Sequence, residues 1–172
     1  DQSLVWVNER WPWSRSYFAE IIDWINDAGA KVVAFDVTLF DPSPDPAEAE
    51  ALAAAIARAN SFVTVSQIFS TQYSVTVDIP EDIFLPGIDG YGITEIERDD
   101  DARVRGINAY KEYQGEVLYN WAFEIAREFL DIDPPSNPSQ ASVDFNGQTI
   151  PLNQQGKLLI NFAGGVQTYP TY

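Results

Sequence analysis

The 172-residue chain is 45% apolar and 13% aromatic, enough for one domain with a real core and too apolar for a disordered segment. Its 26 acidic residues against 10 basic ones leave a net charge of -16, which repels phosphate backbones and anionic headgroups and argues against nucleic-acid binding through a basic patch. With neither Cys nor His, the chain can build no disulfide, no thiolate metal site and no Ser-His-Asp or Cys-His catalytic set.

No run approaches the roughly 18 apolar residues of a membrane span, and no stretch of these 172 residues reads as a signal peptide. The chain opens on Asp1 and contains no Met. It is therefore expected to be a single domain, residues 1–172, cut from a longer protein or left by processing, with any membrane anchor outside it.

Leu4–Val7 is short and apolar, a strand or a buried turn. Trp11-Pro12-Trp13-Ser14-Arg15 reads as a rigid turn, because Pro12 fixes its own φ and biases Trp11 away from helix. Tyr17, Phe18, Ile21, Ile22, Ile25 and Ala28 then recur at helical spacing. They predict a helix over 16–28, capped by Ser14 or Ser16 and stopped at Gly29. A buried strand over 31–35 follows and ends on Asp36.

The next helix has the clearest start. Asp45 is a good N-cap, Pro46 suits the first helical position, and Glu48 stands three residues after Asp45. It is predicted over 47–59, with a strand over 61–66 after it. Strand and helix alternating in this way predict a βαβαβ unit and a parallel sheet.

The pattern then changes. A strand is predicted over 72–78 and a Pro/Gly loop with one helical turn over 79–90. A hairpin of 91–97 against 104–110 is predicted across Asp99-Asp100-Asp101. A third helix is predicted over 116–130. Asn146-Gly147 within 143–152 is a strong two-residue hairpin signal, and 158–162 reads as a closing strand. The fold class is thus α/β: a mixed sheet with a βαβαβ start, helices packed on it, and β-hairpins in the second half.

Asp36 ends a strand of a parallel sheet, the edge at which open α/β folds bind ligands. It can orient a ligand or hold a hard cation; alternatively it accepts turn amides or pairs with Arg15. Asp99 and Asp101 can offer oxygens to Ca²⁺ or Mg²⁺, but Val104 and Tyr110 replace the Gly and Glu of an EF-hand loop. Without a metal they form a solvated tip. Arg103 and Arg105 share one face, so they neutralise that tip or take an anion. Trp11, Trp13 and Trp24 serve as core packing, a ligand cage or an interface anchor. The glycines match no phosphate loop and no dinucleotide fingerprint, so no cofactor is expected.

Taken together, several segments resemble the type-two CHASE domains, cyclase/histidine-kinase-associated sensory extracellular modules. Asp1-Gln2-Ser3-Leu4 is similar to that family's acidic turn after its first strand, and Trp11-Pro12-Trp13-Ser14-Arg15 to its Pro-Trp-x-Arg element. Ala28 to Asp36, extended to Phe40, resembles its helix-to-strand passage. Asp99 to Arg105 resembles its Asp-x-Asp-Gly-x-x-Arg turn, with Ala102 in place of the Gly. Gly156 to Phe162 and Thr168-Tyr169-Pro170 resemble its closing segment.

The resemblance implies a sensor flanked by transmembrane helices, on the extracytoplasmic side of a bacterial membrane protein with a cyclase or kinase output. The expected partners are a small ligand, the flanking transmembrane helices and a second copy of the chain, and no nucleic acid. The residues expected to face the ligand are Arg15, Asp36, Asp99, Asp101 and Arg103. Two other readings stand beside this one: a divalent-metal hydrolase using Asp36 with Asp99 or Asp101, and a module that only holds a dimer.

Overall fold

A computed structural model describes residues 11–70, 74–162 and 164. The segment Leu4–Val7 lies outside the described residues.

Helix α1 runs Arg15–Asp27. Ser14 caps it by accepting from the Ser16 N–H, and Gly29 follows its end at a φ of +86°. Strand β1 is Val33–Phe35 and helix α2 is Pro46–Arg58. Asp45 caps α2 through the Ala47 N–H (2.9 Å), as its sequence predicts. Strand β2, Phe62–Ser70, is longer than expected, and β3, Val75–Asp78, folds back on its far end. A 3₁₀ turn at Leu85–Gly87 leads to β4, Gly90–Ile93.

The central sheet is ordered β1-β2-β4, with all three strands parallel. β3 adds an antiparallel pairing to β2. This is the mixed sheet that the sequence predicts, and the order helix, strand, helix, strand follows the predicted βαβαβ unit from its first helix on, the opening strand lying outside the described residues.

The second half is a set of two-stranded ribbons. β5 (Gly106–Asn108) pairs with β10 (Lys157–Leu159), β6 (Tyr110–Tyr113) with β7 (Glu116–Tyr119), and β8 (Ser142–Phe145) with β9 (Gln148–Pro151). Helix α3, Trp121–Leu130, enters after β7.

Two expectations are corrected here. The stretches 91–97 and 104–110 do not pair with each other: β4 joins β2, and β5 joins β10. The predicted helix over 116–130 is also split, because Gln114-Gly115 turn with φ of 52° and 86° and send 116–119 back along β6. Helix begins only after Asn120, the N-cap, whose side chain accepts from the Ala122 N–H.

Residues paired across a sheet share a face, so Val63, Val65, Gly90 and Gly92 point the same way. A Cβ on Gly92 would lie 2.7 Å from the Trp121 backbone. That face therefore carries α3 at close range. Phe62 points the other way and packs with Leu52, Ile56 and Ile22 of α2 and α1. The sheet is covered by α1 and α2 on one side and by α3 on the other.

Candidate functional site

The carboxyl ends of β1 and β4 open into two clefts joined by one loop, residues 36–44. On the α3 side, Asp36 lines a cleft of 420 Å³ with Thr94 and Glu95 beyond β4, and with Trp121 and Ile125 of α3. The Asp36 carboxylate is exposed and has no partner among the described residues. Glu95 accepts from the Ile68 N–H (2.9 Å), and its other oxygen lies 2.8 Å from Lys111 Nζ, outside hydrogen-bond geometry and therefore an ion pair. Trp121 Nε1 is buried without an acceptor among the described residues.

On the α1 and α2 side, the same loop walls a cleft of 340 Å³ whose floor is aromatic. The Trp11–Pro12 peptide is cis. Trp11, Trp13 and Phe18 meet with ring centroids 5.8 to 6.2 Å apart, and Phe18 packs edge-on to Phe35 of β1 at 5.4 Å. Val37 and Leu39, with Pro42 and Pro44, complete the apolar wall. Trp13 Nε1 is buried and has no acceptor among the described residues, a costly state for an indole donor.

The charges at this cleft follow tertiary contacts rather than local ones. Glu48 does not reach back to its own helix start. Its carboxylate accepts from Ser14 Oγ (2.8 Å) and the Arg15 N–H (3.1 Å), so the first turn of α2 caps α1. The Arg15 guanidinium donates to Glu81 Oε1 (3.0 Å) and to the Asp41 carbonyl, and it lies 5.1 Å from the Phe84 ring centroid. Arg15 is thus engaged with Glu81 and not with Asp36. The Asp41 carboxylate is exposed and has no partner among the described residues.

The acidic turn is a third, separate place. Arg105 holds Asp99 (2.7 Å) and chelates Asp101 through both nitrogens (2.9 and 2.6 Å). These hydrogen bonds lower the Asp101 pKa and raise that of Arg105. Arg103 lies 3.8 Å from Asp101 and is exposed. Ala102 has φ of 62°, so it takes the left-handed conformation that Gly adopts freely, and the turn survives the replacement. Asp99 and Arg105 face a polar hollow of 540 Å³ with Glu97 and Lys157. Asn108 and Lys157 bond Glu97 and lower its pKa.

The structure therefore distributes the five predicted residues over three sites: Asp36 on one strand-end cleft, Arg15 on the other, and Asp99, Asp101 and Arg103 on the turn. Among the described residues no group of three or more carboxylates is arranged to hold a metal ion. A further hollow of 730 Å³ lies between the end of α3 and the β8–β9 ribbon; it is open and polar and contains none of the five.

Sequence reading missed Asp41, Glu48 as a cap for α1, and Trp121. Asp41 is flanked by Phe40 and Pro42 just past a predicted strand end, which is the signal that would have found it.

The model of the CHASE2 domain matches residues 1–172. No curated protein and no solved structure matches the chain.

Proposed function

The chain belongs to the CHASE2 domain family, an extracellular sensory rather than catalytic family, and from that premise we propose that it is the input domain of a bacterial transmembrane receptor. In this reading the parent carries a cytoplasmic nucleotide cyclase or kinase, transmembrane helices flank the domain, and two copies work as a dimer.

The observation that carries the reading is the loop 36–44, which walls both strand-end clefts. Its backbone is tied to the start of α1 through the Asp41 carbonyl and Arg15, and to the segment before the 3₁₀ turn through the Glu81 N–H and the Leu39 carbonyl (2.9 Å). A ligand packed on this loop in one signalling state and not in the other shifts α1, and with it the chain that leads to a preceding helix. Only such unequal binding moves a signalling equilibrium.

The test is the parent gene and its topology. Apolar spans on both sides of residues 1–172, and reporter fusions that place the domain on the outer face, are the expected result. A parent chain without spans sinks the reading.

A further inference from the structure

We propose that the aromatic cleft between α1 and the loop 36–44 binds a small organic cation, an ammonium carrying alkyl groups. The inference rests on the sensory reading above and names the ligand class.

Three observations carry it. The floor is built from Trp11, Trp13 and Phe18, and aromatic faces attract a cation through their quadrupole while accepting its alkyl groups by apolar contact. Trp11 is 59% exposed, so an indole is offered to solvent rather than spent on the core. The volume, 340 Å³, suits a compact ligand.

The charges then decide the sign. Among the described residues Arg15 is the one cation lining the cleft, and Glu81, the Asp41 carbonyl and the Phe84 face already occupy it. Both helix N-termini at the cleft are capped by carboxylates, α1 by Glu48 and α2 by Asp45. Among the described residues no cationic side chain is left free there to pair an anion. Asp41 and Glu48 have no cationic side chain against them among the described residues, and the net charge of -16 adds a field of the same sign.

The experiment titrates the 172-residue chain with three probes of similar shape and different charge: choline, neutral 3,3-dimethyl-1-butanol and anionic pivalate. The indole N–H resonances of Trp11 and Trp13 report binding. Choline is expected to shift both, with affinity about tenfold above that of the neutral isostere and no saturable response to pivalate. Trp11→Ala is expected to weaken choline about tenfold, and Asp41→Asn about threefold. Trp24→Ala, at an indole 73% exposed on the outer side of α1, is expected to leave the titration unchanged. Equal binding of the neutral isostere, or preference for pivalate, overturns the cationic class. So does a choline response that survives Trp11→Ala. Absence of any shift at Trp11 and Trp13 overturns the cleft as a cation site. None of these failures alters the membrane topology of the parent, on which the sensory reading is tested separately.

Discussion

The two halves of this molecule are held together by different physics. Around the parallel sheet, one cluster joins eleven buried apolar residues, from Phe18 and Ile22 through Leu52 and Ile56 to Phe62 and Phe84. Around the ribbons, the buried cluster contains three, Ala109, Phe123 and Val143, with partly buried rings and aliphatic side chains leaning on them. The ribbons depend more on polar ties. Arg105 holds the Asp99–Asp101 turn, Asp144 accepts from Thr149 and Asn137, and Glu97 takes Asn108 and Lys157. A deep apolar core favours one arrangement strongly, whereas exposed ion pairs contribute little each and respond to salt and pH. Helix α3 is common to both halves. Its first turn lies against Gly92 of the sheet, and its Phe123 packs on Phe145 of the ribbons at 5.1 Å.

The comparison is easiest to break at the deep core. Leu52→Ala removes a fully buried side chain and leaves a cavity, at an expected cost of about 4 kcal/mol in thermal or denaturant unfolding. Val143→Ala, equally buried but in the smaller cluster, is expected to cost about 2 kcal/mol. If the two costs come out equal, the contrast between the cores is wrong.

Gly92→Ala tests the shared helix. The new methyl would meet Trp121 backbone atoms at 2.7 Å and the Tyr119 carbonyl at 2.8 Å, neither of which can rotate away. An expected loss of about 3 kcal/mol should appear as faster hydrogen exchange in both halves. Loss of protection confined to one half would show that α3 does not couple them.

The turn offers the opposite sign. Ala102→Gly removes the strain of a left-handed Ala and is expected to stabilise by about 1 kcal/mol, with faster unfolding exchange nowhere.

Acid gives the smallest effect and the most local one. Hydrogen bonds hold Glu97, Asp101 and Asp144 below the usual carboxylate range. Their contribution is present above the unfolded-state value, roughly pH 4, and is lost as pH falls through the lowered folded values. Glu124 runs the other way. Burial raises its pKa, so its ionised form is the disfavoured one, and that cost disappears as pH falls through the raised value. Amide exchange across an acid titration should therefore show the ribbons opening first while the α3–sheet contact holds. Simultaneous loss would remove the distinction.

How much of this was legible in the sequence follows from where the determining contacts lie. Helix α2 was readable because Asp45, Pro46 and a run of Ala, Leu and Ile act within a few residues of one another. The β8–β9 hairpin was readable because Asn146-Gly147 both adopt positive φ, which few dipeptides do cheaply. The β6–β7 hairpin was hidden, since Val117, Leu118 and Trp121 also fit a helical stripe and only pairing with 110–113 makes 116–119 a strand. Strand β4 looked like half of a hairpin because Gly90 and Gly92 conceal their purpose, which is to admit α3.

By itself the sequence determined an acidic α/β domain without thiol or imidazole chemistry, its first two helices and strands, and the stretches that resemble its family. These depend on composition and on interactions between near neighbours. Tertiary structure decided which strands pair, that Glu48 caps a helix other than its own, that Arg15 faces Glu81 instead of Asp36, and that one loop walls two clefts. Those outcomes are selected by burial and charge pairing between residues up to 66 positions apart, and no local pattern encodes a partner at that distance.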